Sequence, residues 1–355
     1  MMTIISSEDG CHAELLPFPT VDTCLIFPGC HVHSTDLARI DQFSLDDVPD
    51  LSGQVAVVTG GSEGIGYGVT HTLLKHNIAK VYILSISEEV VKGAKSAIAQ
   101  EIGQAAADKT HWHQLDLSDW KKTVDVADQI ARDTDRLDIL VNNAGRGIMT
   151  YQLTDYGVDR HMAVNHFGHV ILTSKLLPLL KKTAEKGNRV RIVTLGSNAH
   201  QAAPKDTKFE SLEELNQDLG PNPQYGRSKL AQMLYARDFA KHVTNAGHPN
   251  VLMNSIHPGF VSTKMSKEDI LEPFPLAGYA MAVGMEPFKK NQFEGAKPAL
   301  FAATVTDKSG QYICPPAVPE SGSALAQDDA LADRLMKLTR QVIVDKLQVG
   351  GLAIY

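Results

Sequence analysis

From residue 53 onward, short β-branched and apolar runs alternate with longer stretches whose apolar positions recur at helical spacing. That alternation is the pattern of a parallel sheet covered by helices on both faces. Seven strands are predicted: Val55 to Val58, Val81 to Leu84, Trp112 to Leu115, Ile139 to Val141, Val190 to Leu195, Val251 to Ile256 and Gln311 to Ile313. Most are continuously apolar, as strands buried on both faces must be. The expected fold is therefore α/β, a doubly wound, mostly parallel seven-stranded sheet in a single domain, with no internal repeat and no interdomain linker.

Two stretches break the pattern. Between Phe260 and Pro319, prolines are interleaved with Phe274, Leu276, Tyr279, Met281, Met285, Phe288 and Phe293. A loosely packed peripheral subdomain would fit, but the position relative to the motifs below favours an apolar lid over a ligand pocket, about residues 260–320. Residues 1–52 form the other stretch and are expected to be an acidic, mobile N-terminal extension to a domain spanning 53–355.

Charge sharpens this division. The chain of 355 residues has a net charge of −7, yet residues 1–52 hold nine Asp/Glu against Arg39 alone, so the remainder is close to neutral. A neutral body with no basic stripe argues against nucleic acid and against an anionic membrane surface as partners. No apolar run reaches the length of a membrane span. With no basic residue before Arg39, the leader is unlike an Arg-rich transit peptide or a secretory signal, and the cytosol is the expected compartment. Cys11, Cys24, Cys30 and Cys314 do not read as a disulfide framework. The leader's Cys11-His12 and Cys30-His31-Val32-His33 match no zinc-binding spacing, and no metal is expected.

Three motifs carry chemistry. Thr59-Gly60-Gly61-Ser62-Glu63-Gly64-Ile65-Gly66 follows the first strand and opens a helix. Glycines there let the backbone approach a pyrophosphate, which the helix N-terminus then stabilises. Its spacing, Gly-x-x-x-Gly-x-Gly, differs from the common Gly-x-Gly-x-x-Gly, and a purely structural turn is the bland alternative. Tyr225-Gly226-Arg227-Ser228-Lys229 puts Tyr225 and Lys229 four apart on one helical face. A tyrosine titrates near ~10 when unperturbed, so an adjacent cation that favours the phenolate is what proton transfer requires. Ser197 stands at the carboxyl end of a strand, the edge at which open α/β sheets bind ligands. Taken singly, a Tyr–Lys pair or a serine after a strand is an ordinary surface or turn feature.

In this order, and with Asn142-Asn143-Ala144-Gly145, Asn165-His166-Phe167-Gly168-His169, His257-Pro258-Gly259 and Glu294-Gly295-Ala296, the motifs resemble the short-chain dehydrogenase/reductase family. The resemblance covers roughly residues 53 to 345 and is nearest the branch of retinol dehydrogenases and WW-domain oxidoreductases, although no WW domain is visible. It implies a Rossmann-type fold and a nicotinamide cofactor. It further implies that Tyr225 is the proton donor to a carbonyl or base toward an alcohol, and that Lys229 lowers its pKa and holds the nicotinamide ribose. Ser197 would orient the carbonyl oxygen, and Asn165 would position the water of a proton relay. Gly60, Ser62, Gly64, Ile65 and Gly66 would hold the pyrophosphate. Asp116 and Leu117 would meet the adenine, Asn143 the adenosine ribose, and Val261 and Thr263 the carboxamide and phosphates.

The family's NAD determinant, an Asp closing the second strand, is replaced by Leu84-Ser85-Ile86-Ser87, and the arginines usual for a 2′-phosphate are also missing. Ser85 and Ser87 can still hydrogen-bond a phosphate, so NADP is the expected cofactor and NAD the alternative. The function expected is hydride transfer between NADP(H) and a carbonyl or secondary alcohol of a lipophilic small molecule. A non-catalytic nucleotide-binding sensor or scaffold is the main alternative, and an epimerase or dehydratase with tightly held NAD fits the glycine spacing less well. The oligomeric state stays open, a homo-oligomer included. His161, His166 and His169 lack metal-site spacing and are read as satisfied structural histidines.

Overall fold

The computed structural model describes residues 43–259, 291–348, 352, 354 and 355. Within them the chain builds one eight-stranded sheet. Its strands are β1 (Val55–Thr59), β2 (Lys80–Ser85), β3 (Thr110–Gln114), β4 (Ile139–Asn142), β5 (Val190–Leu195), β6 (Val251–Ile256), β7 (Tyr312–Cys314) and β8 (Val318–Glu320). The spatial order is β3-β2-β1-β4-β5-β6-β7-β8. Every pairing is parallel except that of β7 with β8.

The sheet thus has eight strands where seven are predicted. The additional strand is three residues long, carries Pro319 and pairs on one side only. Proline cannot donate to a ladder and is tolerated at such an edge, but nothing in so short a run announces a strand in the sequence.

Seven helices matter for the site: α1 (Gly64–Lys75), α2 (Glu88–Ile102), α3 (Trp120–Asp133), α4 (His169–Glu185), α5 (Pro221–Phe239), α6 (Gln292–Thr304) and α7 (Asp329–Leu347). Successive strand residues point to opposite faces and feed two cores. Val55 and Val57 join Tyr82, Leu140 and Ile192 under α3, α4, α5 and α7. Ala56 and Val58 join Val81, Ile83 and Val193 under α1, α2 and α6.

Two predicted boundaries shift. Phe43, Val48 and Leu51 are buried in the second core, and Phe43 meets Phe301 edge-on at 5.4 Å. Residues 43–52, assigned to the extension in the sequence reading, therefore pack on the domain. Within the expected lid, α6, β7 and β8 belong to the sheet and its covering layer, whereas residues 260–290 lie outside the described residues, as do residues 1–42.

Connection order reverses between β1 and β4, because the chain winds outward from β1 to β3 and then returns to β4. Open α/β sheets bind ligands in the crevice at such a point, outside the carboxyl ends of the strands. Thr59 and Asn142 end the two strands that flank it.

Candidate active site

The glycine turn lies at this crevice. Gly60 and Gly64 adopt φ of +62° and +54°, and a Cβ on Gly66 would stand 2.1 Å from the Gly60 carbonyl oxygen. Only glycine lets α1 begin so close to the turn. Glu63, at the N-cap of α1, makes no side-chain cap, so the helix's first N–H groups receive no side-chain acceptor from that residue. Ser62 is buried, whereas Gly64 and Ile65 are part-exposed. Asn143 fastens the turn from below, donating from Nδ2 to the Thr59 oxygen at 2.8 Å and the Gly60 oxygen at 3.3 Å.

At the end of β2, the Ser85 hydroxyl is enclosed and has no hydrogen-bond partner among the described residues. Ser87, paired with it in the sequence reading, instead caps α2 by accepting from the Val90 N–H at 3.3 Å. Asp116 accepts from the N–H and the hydroxyl of Ser118, both at 2.8 Å, and Leu117 beside it is buried. Val261 and Thr263 lie outside the described residues.

The other motifs meet on the far side of the crevice. Tyr225 and Lys229 stand one turn apart on α5, with the lysine Nζ 5.5 Å from the tyrosine ring centroid. Lys229 is buried, donates to the Leu195 carbonyl at 2.8 Å, and is pushed down to about 8 by that burial. Asn165 lies in a π-helical turn, Ala163–Gly168, leading into α4. Its Nδ2 donates to Ser228 Oγ at 2.9 Å, and that hydroxyl donates to the Tyr225 carbonyl at 2.8 Å. Asn165 is thereby tied to the helix that carries the tyrosine and lysine.

Ser197 follows the end of β5 by two residues and opens a 3-10 turn, Asn198–Ala202, whose Ala199 N–H donates to Ser197 Oγ at 3.1 Å. This turn packs directly on α5. A Cβ on Gly226 would come within 2.6 Å of the Ala199 carbonyl oxygen and 2.8 Å of the Ala203 nitrogen. The glycine after Tyr225 is what allows the serine's turn and the tyrosine's helix to dock.

Sequence reasoning did not see several supports of this arrangement. His200 receives the Ser323 N–H on Nε2 at 3.0 Å, so Nδ1 carries the proton and donates to the Ser197 carbonyl at 2.6 Å. Buried His169 links the two halves of the crevice. Its Nδ1 donates to the Asn165 carbonyl at 3.1 Å, and its Nε2 accepts from the Thr59 hydroxyl at 3.0 Å. Thr59 in turn accepts from the Ala144 N–H at 2.9 Å. Burial holds His169 down to about 4, so it is a neutral strut between turn and π-helix. His161 and His166 are likewise buried, against the Gly147 carbonyl at 3.0 Å and Thr339 Oγ1 at 2.8 Å. Periodicity identifies these histidines as interior, but not what they join.

Residues 54–207 match the family model described as short chain dehydrogenase. The chain is 61% identical over 308 residues to the Neurospora crassa oxidoreductase bli-4, named as mitochondrial, covering 86% of this chain and 75% of that protein. This chain belongs to the short-chain dehydrogenase/reductase family. It is also 34% identical over 267 residues to retinol dehydrogenase 12 of Bos taurus, covering 74% of this chain and 78% of the relative. Among solved structures, a protein of Mycobacterium paratuberculosis superposes with a TM-score of 0.64 at 26% identity, over 84% of this chain and 97% of its own. The chain is accordingly an NAD(P)-dependent oxidoreductase of this family, on a Rossmann-like sheet. No helix among the described residues is long and apolar enough to cross a membrane.

Proposed function

We propose that the protein transfers a hydride between NADP(H) and the carbonyl or secondary alcohol of a lipophilic small molecule, with Tyr225 moving the proton. The observation that carries this reading is the buried Lys229 beside Tyr225, on a helix joined to both Ser197 and Asn165. The cradle suits a dinucleotide, because Gly66 lets α1 start tight against the Gly60 backbone and α1 presents its N-terminus there. When bound, the nicotinamide supplies or accepts the hydride. The chain's own residues do the rest. In reduction, Tyr225 Oη gives its proton to the substrate oxygen, and the Lys229 ammonium favours the phenolate left behind. Ser197 holds that oxygen; its present bond to Asn198 Oδ1 is long, 3.4 Å, and is readily exchanged for a substrate acceptor. Asn165 holds the relay on the lysine's side, and Asp116, Leu117 and Asn143 line the adenosine end.

NADP is favoured over NAD because the enclosed Ser85 hydroxyl, unpartnered among the described residues, ends β2, where an Asp would otherwise accept from the ribose. The apolar residues between 260 and 290, with Val261 and Thr263 at their start, suit a lipophilic ligand, and the similarity to a retinol dehydrogenase supports that class. The leader's lack of Lys and Arg before Arg39 favours the cytosol, and fractionation of the full chain tests this against the mitochondrial placement in the Neurospora relative's name.

The test is a nicotinamide-fluorescence titration of folded protein with NADPH and NADH, followed by turnover of ketones and aldehydes by wild type and Tyr225→Phe. NADPH should bind tighter. The variant should keep cofactor binding and lose at least ~10³-fold in kcat. A variant that retains most of its activity sinks the role of Tyr225, and absence of binding by either cofactor makes the protein a scaffold.

A further inference from the structure

The C-terminal end of α5 carries a second cluster, remote from the crevice. Asp238 and His242 stand four apart, where the helix passes into a π-helical turn, Ala240–Thr244, and Asp333 faces them from α7. His242 Nε2 lies 3.2 Å from Asp333 Oδ1 and 3.7 Å from Asp238 Oδ1, and the three ligand atoms all fall within 4.8 Å of one another. Ligands held at about 2.0–2.2 Å from a tetrahedral ion stand roughly 3.3–3.6 Å apart, close to the two histidine–carboxylate distances.

A carboxylate and histidine at a helix surface often form only an ion pair. The distinguishing observation here is Asp238, whose side chain is 0% exposed. One of its oxygens accepts from the Tyr355 hydroxyl at 2.9 Å, while Oδ1, directed at His242, has no hydrogen-bond partner among the described residues. A buried carboxylate oxygen without a donor is costly, and burial pushes this carboxyl up from its ordinary range. A cation between Oδ1, the imidazole and Asp333 removes that cost, and the Tyr355 bond supplies the outer support that metal-ligating carboxylates usually have.

We propose that Asp238, His242 and Asp333 bind a divalent transition-metal ion, with Zn²⁺ the best match to one imidazole and two carboxylates, and water completing the shell. The ion joins α5 to α7. It is a structural staple and takes no part in hydride transfer, since thirteen residues of helix, about 20 Å, separate Asp238 from Tyr225. Lys241, whose Nζ contacts both Asp333 oxygens at 3.0 and 2.9 Å, is the competing cation. The site departs from the sequence expectation of no metal, because 91 residues separate His242 from Asp333 and no local spacing reveals them together.

The test uses chelator-treated full-length protein at pH 7.5. One equivalent of Zn²⁺ should bind and raise Tm by roughly 5 °C at a hundredfold excess over Kd. His242→Ala, at a half-exposed position that leaves the metal-free fold intact, should weaken binding at least tenfold, and Lys241→Met should strengthen it. Co²⁺ should give visible d–d bands without thiolate charge transfer. The proposal fails if millimolar Zn²⁺ leaves Tm unchanged, if His242→Ala binds as tightly as wild type, or if thiolate bands place the ion on the leader's cysteines.

Discussion

At Gly226 a single hydrogen atom in place of a methyl group decides how two catalytic candidates meet. The turn after Ser197 rests on α5 at this residue, and an added Cβ would stand 2.6 Å from the Ala199 oxygen. The obstacle is backbone, not the tip of a flexible side chain, so the turn itself must retreat. A displacement of about 1 Å between reacting groups can cost on the order of 10²-fold in rate. Gly226→Ala should therefore lower kcat by about that factor while leaving NADPH affinity within about twofold, as read by turnover and nicotinamide fluorescence on protein with native near-UV circular dichroism. Tyr225 and Lys229 could be picked from the sequence because four-residue spacing on a helix is local. Gly226, lying between them, carries no local signal of its own, since the surface it receives comes from another element.

The π-helical turn and the start of α4 are an element built from buried neutral histidines. Burial pushes His166 down to about 3 and His169 to about 4. In the unfolded chain both titrate near ~6.5, so between about pH 6.5 and 4 the unfolded state binds protons that the folded state does not. Stability then rises with pH across that window and is lost on acidification. The loss amounts to about 2 kcal/mol per histidine at pH 5 relative to neutral pH. Urea unfolding at pH 7 and pH 5 should show it, and His166→Gln should remove about half of the difference. The sequence marked Asn165 as a site residue and its neighbouring histidines as structural. The partners of this element were not legible, because Asn165 bonds Ser228 on α5 and His169 bonds Thr59 at the end of β1.

At the scale of the whole molecule, the second core extends beyond the repeating strand and helix pattern. Phe43, Val48 and Leu51 close one edge of it, Lys75 pairs with Asp46 at 3.1 Å, and Asn77 donates to Asp50 at 2.9 Å. A chain beginning at residue 53 loses three buried apolar side chains, together worth up to about 5 kcal/mol. Its urea midpoint should fall well below that of a chain beginning at residue 43. The boundary at 52 followed the onset of the strand and helix alternation, and charge supported it because Asp46, Asp47 and Asp50 look like more of the acidic leader. Their exposed carboxylates coexist with buried neighbours, a distinction that net charge does not make.

Strand and helix identity, the glycine turn, the Tyr–Lys pair and the family resemblance were all determined by the sequence, because each depends on residues within one element or at its end. Continuous apolar runs also told which strands are buried on both faces. Strand order, the eighth strand, the docking of the Ser197 turn on Gly226, the His169 strut and the Asp238–His242–Asp333 cluster were decided only by the tertiary structure. Apart from the eighth strand, which pairs with residues only four to eight positions before it, each joins positions tens to more than a hundred residues apart, and burial at one of them acquires meaning only from the partner that the fold brings to it.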